Sequence, residues 1–138
     1  MAHRQNTLLL ALGLSLAALS FAPAAQQKKA ADRPPLAEAR RDAARKQFDL
    51  TWQFYQQNRV DTFDVYLWSR LLLDAERALS GKPAARIEAC QVHLDHMIRL
   101  EALIRKIRRL GFGRANDVGA SEYFRIEAES WLAEAKGG

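Results

Sequence analysis

The chain has 138 residues, 49% of them hydrophobic, and a single cysteine, Cys90, so no intrachain disulfide is possible and a disulfide-stapled mini-domain is excluded. Twenty-one Lys and Arg against 16 Asp and Glu give a formal net charge of +5 at pH 7. That excess points to anionic partners rather than cationic ones.

The N-terminus carries His3 and Arg4, then a Leu- and Ala-rich apolar run from Leu8 to Phe21, then Ala22-Pro23-Ala24. This is the three-part pattern of a secretory signal. Cleavage after Ala24 puts small residues at both positions the peptidase reads, so the mature chain is expected to begin at Ala25. The rival reading, a membrane anchor, needs ~20 apolar residues, and this run falls well short. No Cys follows the cleavage site, so nothing suggests a lipid anchor. Losing Arg4 leaves 20 basic against 16 acidic side chains, a formal charge of +4. For an exported protein, phospholipid head groups, acidic polysaccharide or an acidic protein are the expected partners, and nucleic acid is set aside.

Residues 25–35 are rich in Ala, Lys and Gln and contain Pro34-Pro35, which predicts a flexible leader. A helical domain over 36–138 follows. The first helix is expected from Leu36 to about Asn58, with Phe48, Trp52 and Tyr55 at helical spacing. Asp61-Thr62-Phe63-Asp64 offers capping side chains for a second helix striped by Val65, Trp68, Leu72, Ala75 and Leu79. Ser80-Gly81-Lys82-Pro83 supplies a stop and a Pro suited to a first turn. A third, longest helix is predicted from about Pro83 to Leu110, burying Ile87, Cys90, Leu94, Met97, Leu100, Ile104 and Ile107. Gly111 and Gly113 end it. Asn116 is the expected cap of a fourth helix striped by Ala120, Phe124, Ala128, Trp131 and Ala135. No stretch reads as a strand. The class is therefore all-α: two tandem antiparallel hairpins, about 36–80 and 83–136, forming a four-helix bundle or stacked hairpins.

A shift of 53 residues lays Phe48–Leu79 over Glu101–Leu132 with six identities: Leu50/Leu103, Asp64/Asp117, Val65/Val118, Ala75/Ala128, Glu76/Glu129 and Leu79/Leu132. Unrelated segments of ordinary composition would share about two. The pattern predicts an internal duplication. Its second unit, with Gly111-Phe112-Gly113-Arg114 before Asp117-Val118, then Tyr123, Arg125, Ala128-Glu129 and Leu132, resembles a hairpin of the TolC-like outer membrane efflux family. The resemblance spans about Leu50 to Leu132 and implies an envelope helical hairpin, with a role as accessory to an efflux assembly. The chain departs from that family in lacking the strands of a membrane barrel and in being far too short to form a channel alone.

Cys90, His93, His96 and Met97 lie within two helical turns and include the soft ligand types of copper, zinc or haem sites. Cys90 and His96 are about 120° apart around the helix, so they do not readily share an ion. His93 with Met97, or His93 with His96, would need another helix to complete the shell. Core packing is the simpler role for Cys90 and Met97.

Arg105, Lys106, Arg108, Arg109 and Arg114 form the densest charge block, with no acid from Ile104 through Asn116. Read simply, it is a solvated helix end whose cations complement the helix dipole. Read functionally, it is an anion- or partner-binding patch beside a Gly-rich loop.

Asp74, Glu76, Glu127 and Glu129 read as exposed i,i+3 and i,i+4 partners of Arg70, Arg77 and Arg125. Ser69 and Ser121 have no His at a spacing that suggests a nucleophile and base. Trp52, Trp68 and Trp131 are expected in the interhelical core. No catalytic residues and no cofactor are expected. The leading expectation is a non-enzymatic envelope protein presenting a helical binding surface to a protein or an anionic envelope component, with self-association left open. The alternatives are a metal- or haem-binding protein centred on His93 and Met97, and the efflux accessory.

Overall fold

The computed structural model describes residues 36–137. The expected signal over 1–24, the leader over 25–35 and Gly138 lie outside the described residues. Four helices form the domain: α1 Leu36–Gln56, α2 Thr62–Leu79, α3 Pro83–Arg109 and α4 Ala115–Gly137. No strand occurs among the described residues. None of the helices searched there is long and apolar enough to cross a membrane.

The helices pair as two hairpins, α1 with α2 and α3 with α4. The hairpins join chiefly through α2 against α3, with a lighter approach of α2 to α4, while α1 and α4 do not meet. Val65, Met97, Leu100 and Ala128 are wholly buried. Tyr66 on α2 and Phe124 on α4 stack with centroids 4.1 Å apart. Ala44 and Ala75 pack with Leu72 in a second cluster between α1 and α2, where small side chains let the backbones come close. Trp52, Trp68 and Trp131 are only partly buried, packed against the edge of the core. The reason is geometric: Phe48, Tyr66 and Phe124 take the central positions, so the indoles cover the seams instead of filling the interior.

Both hairpins turn by the same device. After α1, Arg59 N–H donates to Phe54 C=O and Asn58 N–H to Tyr55 C=O, each at 2.9 Å. After α3, Phe112 N–H donates to Ile107 C=O at 3.2 Å and Gly111 N–H to Arg108 C=O at 3.0 Å. Each is a Schellman cap, which needs one residue in the left-handed region. Asn58, at φ 57°, and Gly111, at φ 84°, are those residues. They lie 53 positions apart. The same offset carries Gln56 onto Arg109 and Thr62 onto Ala115, helix end onto helix end. The two tips are also tied together, because Arg114 Nη2 donates to Asp61 Oδ1 at 2.7 Å.

Two boundaries differ from expectation. The first helix stops at Gln56 because the cap draws Gln57 and Asn58 out of it. The fourth starts at Ala115, one residue before the expected Asn116 cap. There Arg114 spans the entry and donates to both Asp117 carboxylate oxygens, at 3.1 and 3.2 Å.

One carboxylate staples α3 to α4. Glu101, 8% exposed, accepts Arg105 Nε at 2.8 Å and Arg125 Nε at 2.6 Å. Burial pushes its pKa up, but the two guanidinium hydrogen bonds outweigh that and hold it below the usual carboxylate range. Glu101→Gln should therefore destabilise the chain by about 1–2 kcal/mol near neutral pH, a charge-assisted bond discounted for the partial exposure of both arginines. Thermal melts of parent and variant check this. An unchanged melting temperature would show that the staple contributes nothing.

Candidate functional site

Two places gather the residues that carry chemistry. The first lies inside the α2–α3 seam. Ser69, 1% exposed, holds its Oγ 2.8 Å from His93 Nδ1 and 2.9 Å from His96 Nδ1. His93 and His96 are three residues apart on α3, one turn above the other, and Ser69 faces them from the middle of α2. Spacing along the chain gives no hint of this, since Ser69 lies 24 and 27 residues upstream. Only the packing of α2 on α3 brings the three together.

The ring environments differ. His93 is 1% exposed and stacks on Trp131 with centroids 5.5 Å apart. His96 is partly exposed and stacks on Phe48 of α1 at 4.0 Å. His93 Nε2 is buried with no hydrogen-bond partner. A hydroxyl has one proton, so Ser69 donates to one ring and accepts Nδ1–H from the other. The unpartnered nitrogen sets the direction. An orphaned buried N–H is the rarer defect, which makes His93 Nε2 the bare lone pair and His93 Nδ1–H the donor to Ser69. Ser69 then donates to His96 Nδ1, and His96 carries its proton on Nε2, where its partial exposure admits water.

This geometry gives Ser69 two imidazoles. His93 Nε2 carries no carboxylate to orient the ring as a base, and the Ser69 backbone N–H belongs to the middle of a helix instead of an oxyanion pocket. Ser121 donates to Val118 C=O at 2.9 Å within its own helix. The metal candidates do not converge. Met97 is wholly buried among the apolar core, Cys90 is buried beside it, and both His Nδ1 atoms are engaged by Ser69. Among the described residues no three His, Cys, Asp or Glu side chains come together as a metal shell.

The second place is the tip formed by the two loops. The expected cationic block divides there. Arg105 pairs with Glu101 and Glu122, and Arg114 with Asp61 and Asp117. The sequence conceals these partners because they come from the preceding turn, α4 and the other loop. Lys106, Arg108 and Arg109 make no ion pair among the described residues. Beside them Leu110 and Phe112 are 65% and 69% exposed. The α1–α2 loop adds Arg59, which lies over the Phe54 ring at 4.8 Å. An open groove of about 1240 Å³ runs between the loops, lined by Tyr55, Arg59, Arg108 and Phe112 among others.

The expected helical acid–base pairs are realised only in part. Arg125 Nη1 donates to Glu129 at 2.6 Å. Glu76 instead pairs with Arg45 of α1, and Glu127 accepts the Tyr66 hydroxyl at 2.6 Å. Burial and that contact push the Tyr66 pKa up to about 12.

Comparison of the chain with known protein families, curated proteins and solved structures finds no match.

The imidazoles have a measurable signature. Burial, then the neighbouring His96, lowers the His93 pKa to about 4, and burial, then Arg99, lowers that of His96 to about 4. Both fall below the ordinary 6.5, so between those values the unfolded chain binds more protons than the folded one. Stability should then drop as pH is lowered from 6.5 toward 4, with up to two protons taken up on unfolding. Glu101, held low, stays ionised through most of that window. Thermal melts between pH 7 and 4.5 should show the decline, and His96→Gln should reduce its slope by about half. A flat profile over the window would contradict the buried neutral pair.

Proposed function

We propose that this is a non-enzymatic envelope protein that docks through its loop tip on an anionic lipid surface. The observation that carries the reading is the juxtaposition of Lys106, Arg108 and Arg109, without acidic partners among the described residues, with exposed Leu110 and Phe112. Cations near an anionic membrane contribute about 1 kcal/mol each, and apolar side chains beside them enter the interface. An acidic polysaccharide would use the cations but not Leu110 and Phe112. The Schellman cap holds the tip in shape, so little ordering cost falls on binding.

Export is part of the same proposal and draws on the residues before Ala25 alone. The efflux-accessory reading draws only on the hairpin resemblance. The metal or haem reading has no converging ligand shell among the described residues to support it.

The test is partition onto vesicles of phosphatidylglycerol mixed with phosphatidylcholine. Replacing Lys106, Arg108 and Arg109 together by Gln should weaken partition by about a hundredfold at low salt. Parent binding should also fall steeply as salt shortens the Debye length toward about 8 Å. Phe112→Ser should weaken binding with little change in the salt dependence. The apolar run near the N-terminus is common to parent and variants, so their difference reports on the tip. Equal partition of parent and triple variant across the salt series would refute the reading.

A further inference from the structure

At the other end of the α2–α3 seam from the tip, the hairpins leave a cavity of about 470 Å³ between α1, α2 and α3. Its size lies in the range of small-molecule sites. It exists because α1 and α3 have no close backbone approach. Phe48 and Trp52 fill the gap over His96 and Arg99, but toward the start of α3 the facing residues are Ala85 and Ala89, too small to close it.

The base and the mouth differ in chemistry. At the base stand Ser69, His93 and His96, and the apolar wall is Leu72, Leu73, Leu79 and Val92. At the mouth stand Arg45, Asp49, Glu76 and Glu88. Arg45 is paired to Glu76, whereas Asp49 and Glu88 make no ion pair among the described residues. Four formal charges there leave a net −2, in a chain whose total is +5. An anion entering this cavity meets two uncompensated carboxylates and no free cation. A cation meets complementary charge.

We propose that this cavity is a binding site for a small aliphatic ammonium compound, held with its hydrocarbon against the leucine wall and its charge toward Asp49 and Glu88. The site is separate from the tip and independent of what the tip binds. Neutral imidazoles suit it, because a second cation at the base would repel the ligand. Leu72 and Leu79 supply the apolar contact that a fully hydrated inorganic cation would not use.

The test uses the purified chain, with n-hexylamine as probe and hexanoate as the isosteric anion, followed by heteronuclear NMR at neutral pH. Hexylamine should give saturable shifts concentrated on Ala85, Ala89, Val92 and the His96 ring, and hexanoate should give none. Replacing Asp49 by Asn and Glu88 by Gln together should weaken hexylamine binding about tenfold. Both residues are exposed, so the helical fold should survive that change. Ala85→Phe, which fills the cavity without altering charge, should abolish the shifts. Hexanoate binding as tightly as hexylamine, hexylamine shifts that never saturate, or full affinity in either variant would overturn the proposal.

Discussion

The two hairpins depend on one another along a single seam, α2 against α3, and a hydrogen-bonded chain of three side chains sits in the middle of it. Ser69 can satisfy both imidazoles only if it lies between them, within about 3 Å of each. That requirement fixes the rotation of α2 about its axis and its height against α3. A shift by one residue would turn Ser69 by about 100° and leave buried imidazole nitrogens without partners. Apolar contacts tolerate sliding far better than this bridge does. Leu73, Val65 and Met97 supply the area that holds the seam closed, and the bridge selects the register in which they pack.

From that register the remaining features follow in space. His96 offers its face to Phe48, which places α1 against the seam. His93 meets Trp131 of α4 on its other side. With α1 held by Phe48 and Trp52, the stretch beyond them opens into the cavity lined by Ala85 and Ala89. At the opposite end, the paired Schellman caps bring Asp61 onto Arg114. Neutralising Arg114 and Arg105 in this way separates the cations that hold the fold together from those free to meet another surface.

Much of the architecture was legible from the residues. Helix number and approximate ends follow from apolar periodicity, from Gly81 and Pro83, and from Gly111. The 53-residue offset anticipated that the two hairpins would share boundaries, and Asn58 and Gly111 show the shared cap geometry behind it. Less legible was anything that depends on which helix faces which. The apolar stripes omitted Tyr66, Ser69 and His93, because a polar residue looks like surface until a partner on another helix is known. The absence of acids between Ile104 and Asn116 suggested five free cations, yet Glu122 and Asp61 reach two of them from distant segments. The cavity left no sequence signal at all. Ala85 and Ala89 are good helix formers, and a void appears only when α1 stands away from α3.

The direct test of the seam is the protonation pattern of its two histidines, read by long-range nitrogen–proton NMR on the folded chain at neutral pH. Two neutral rings of opposite tautomer are expected: His93 protonated on Nδ1 and His96 on Nε2, with a slowly exchanging Ser69 hydroxyl proton between them. Two rings of the same tautomer, or a charged ring at that pH, would contradict a directed chain through Ser69.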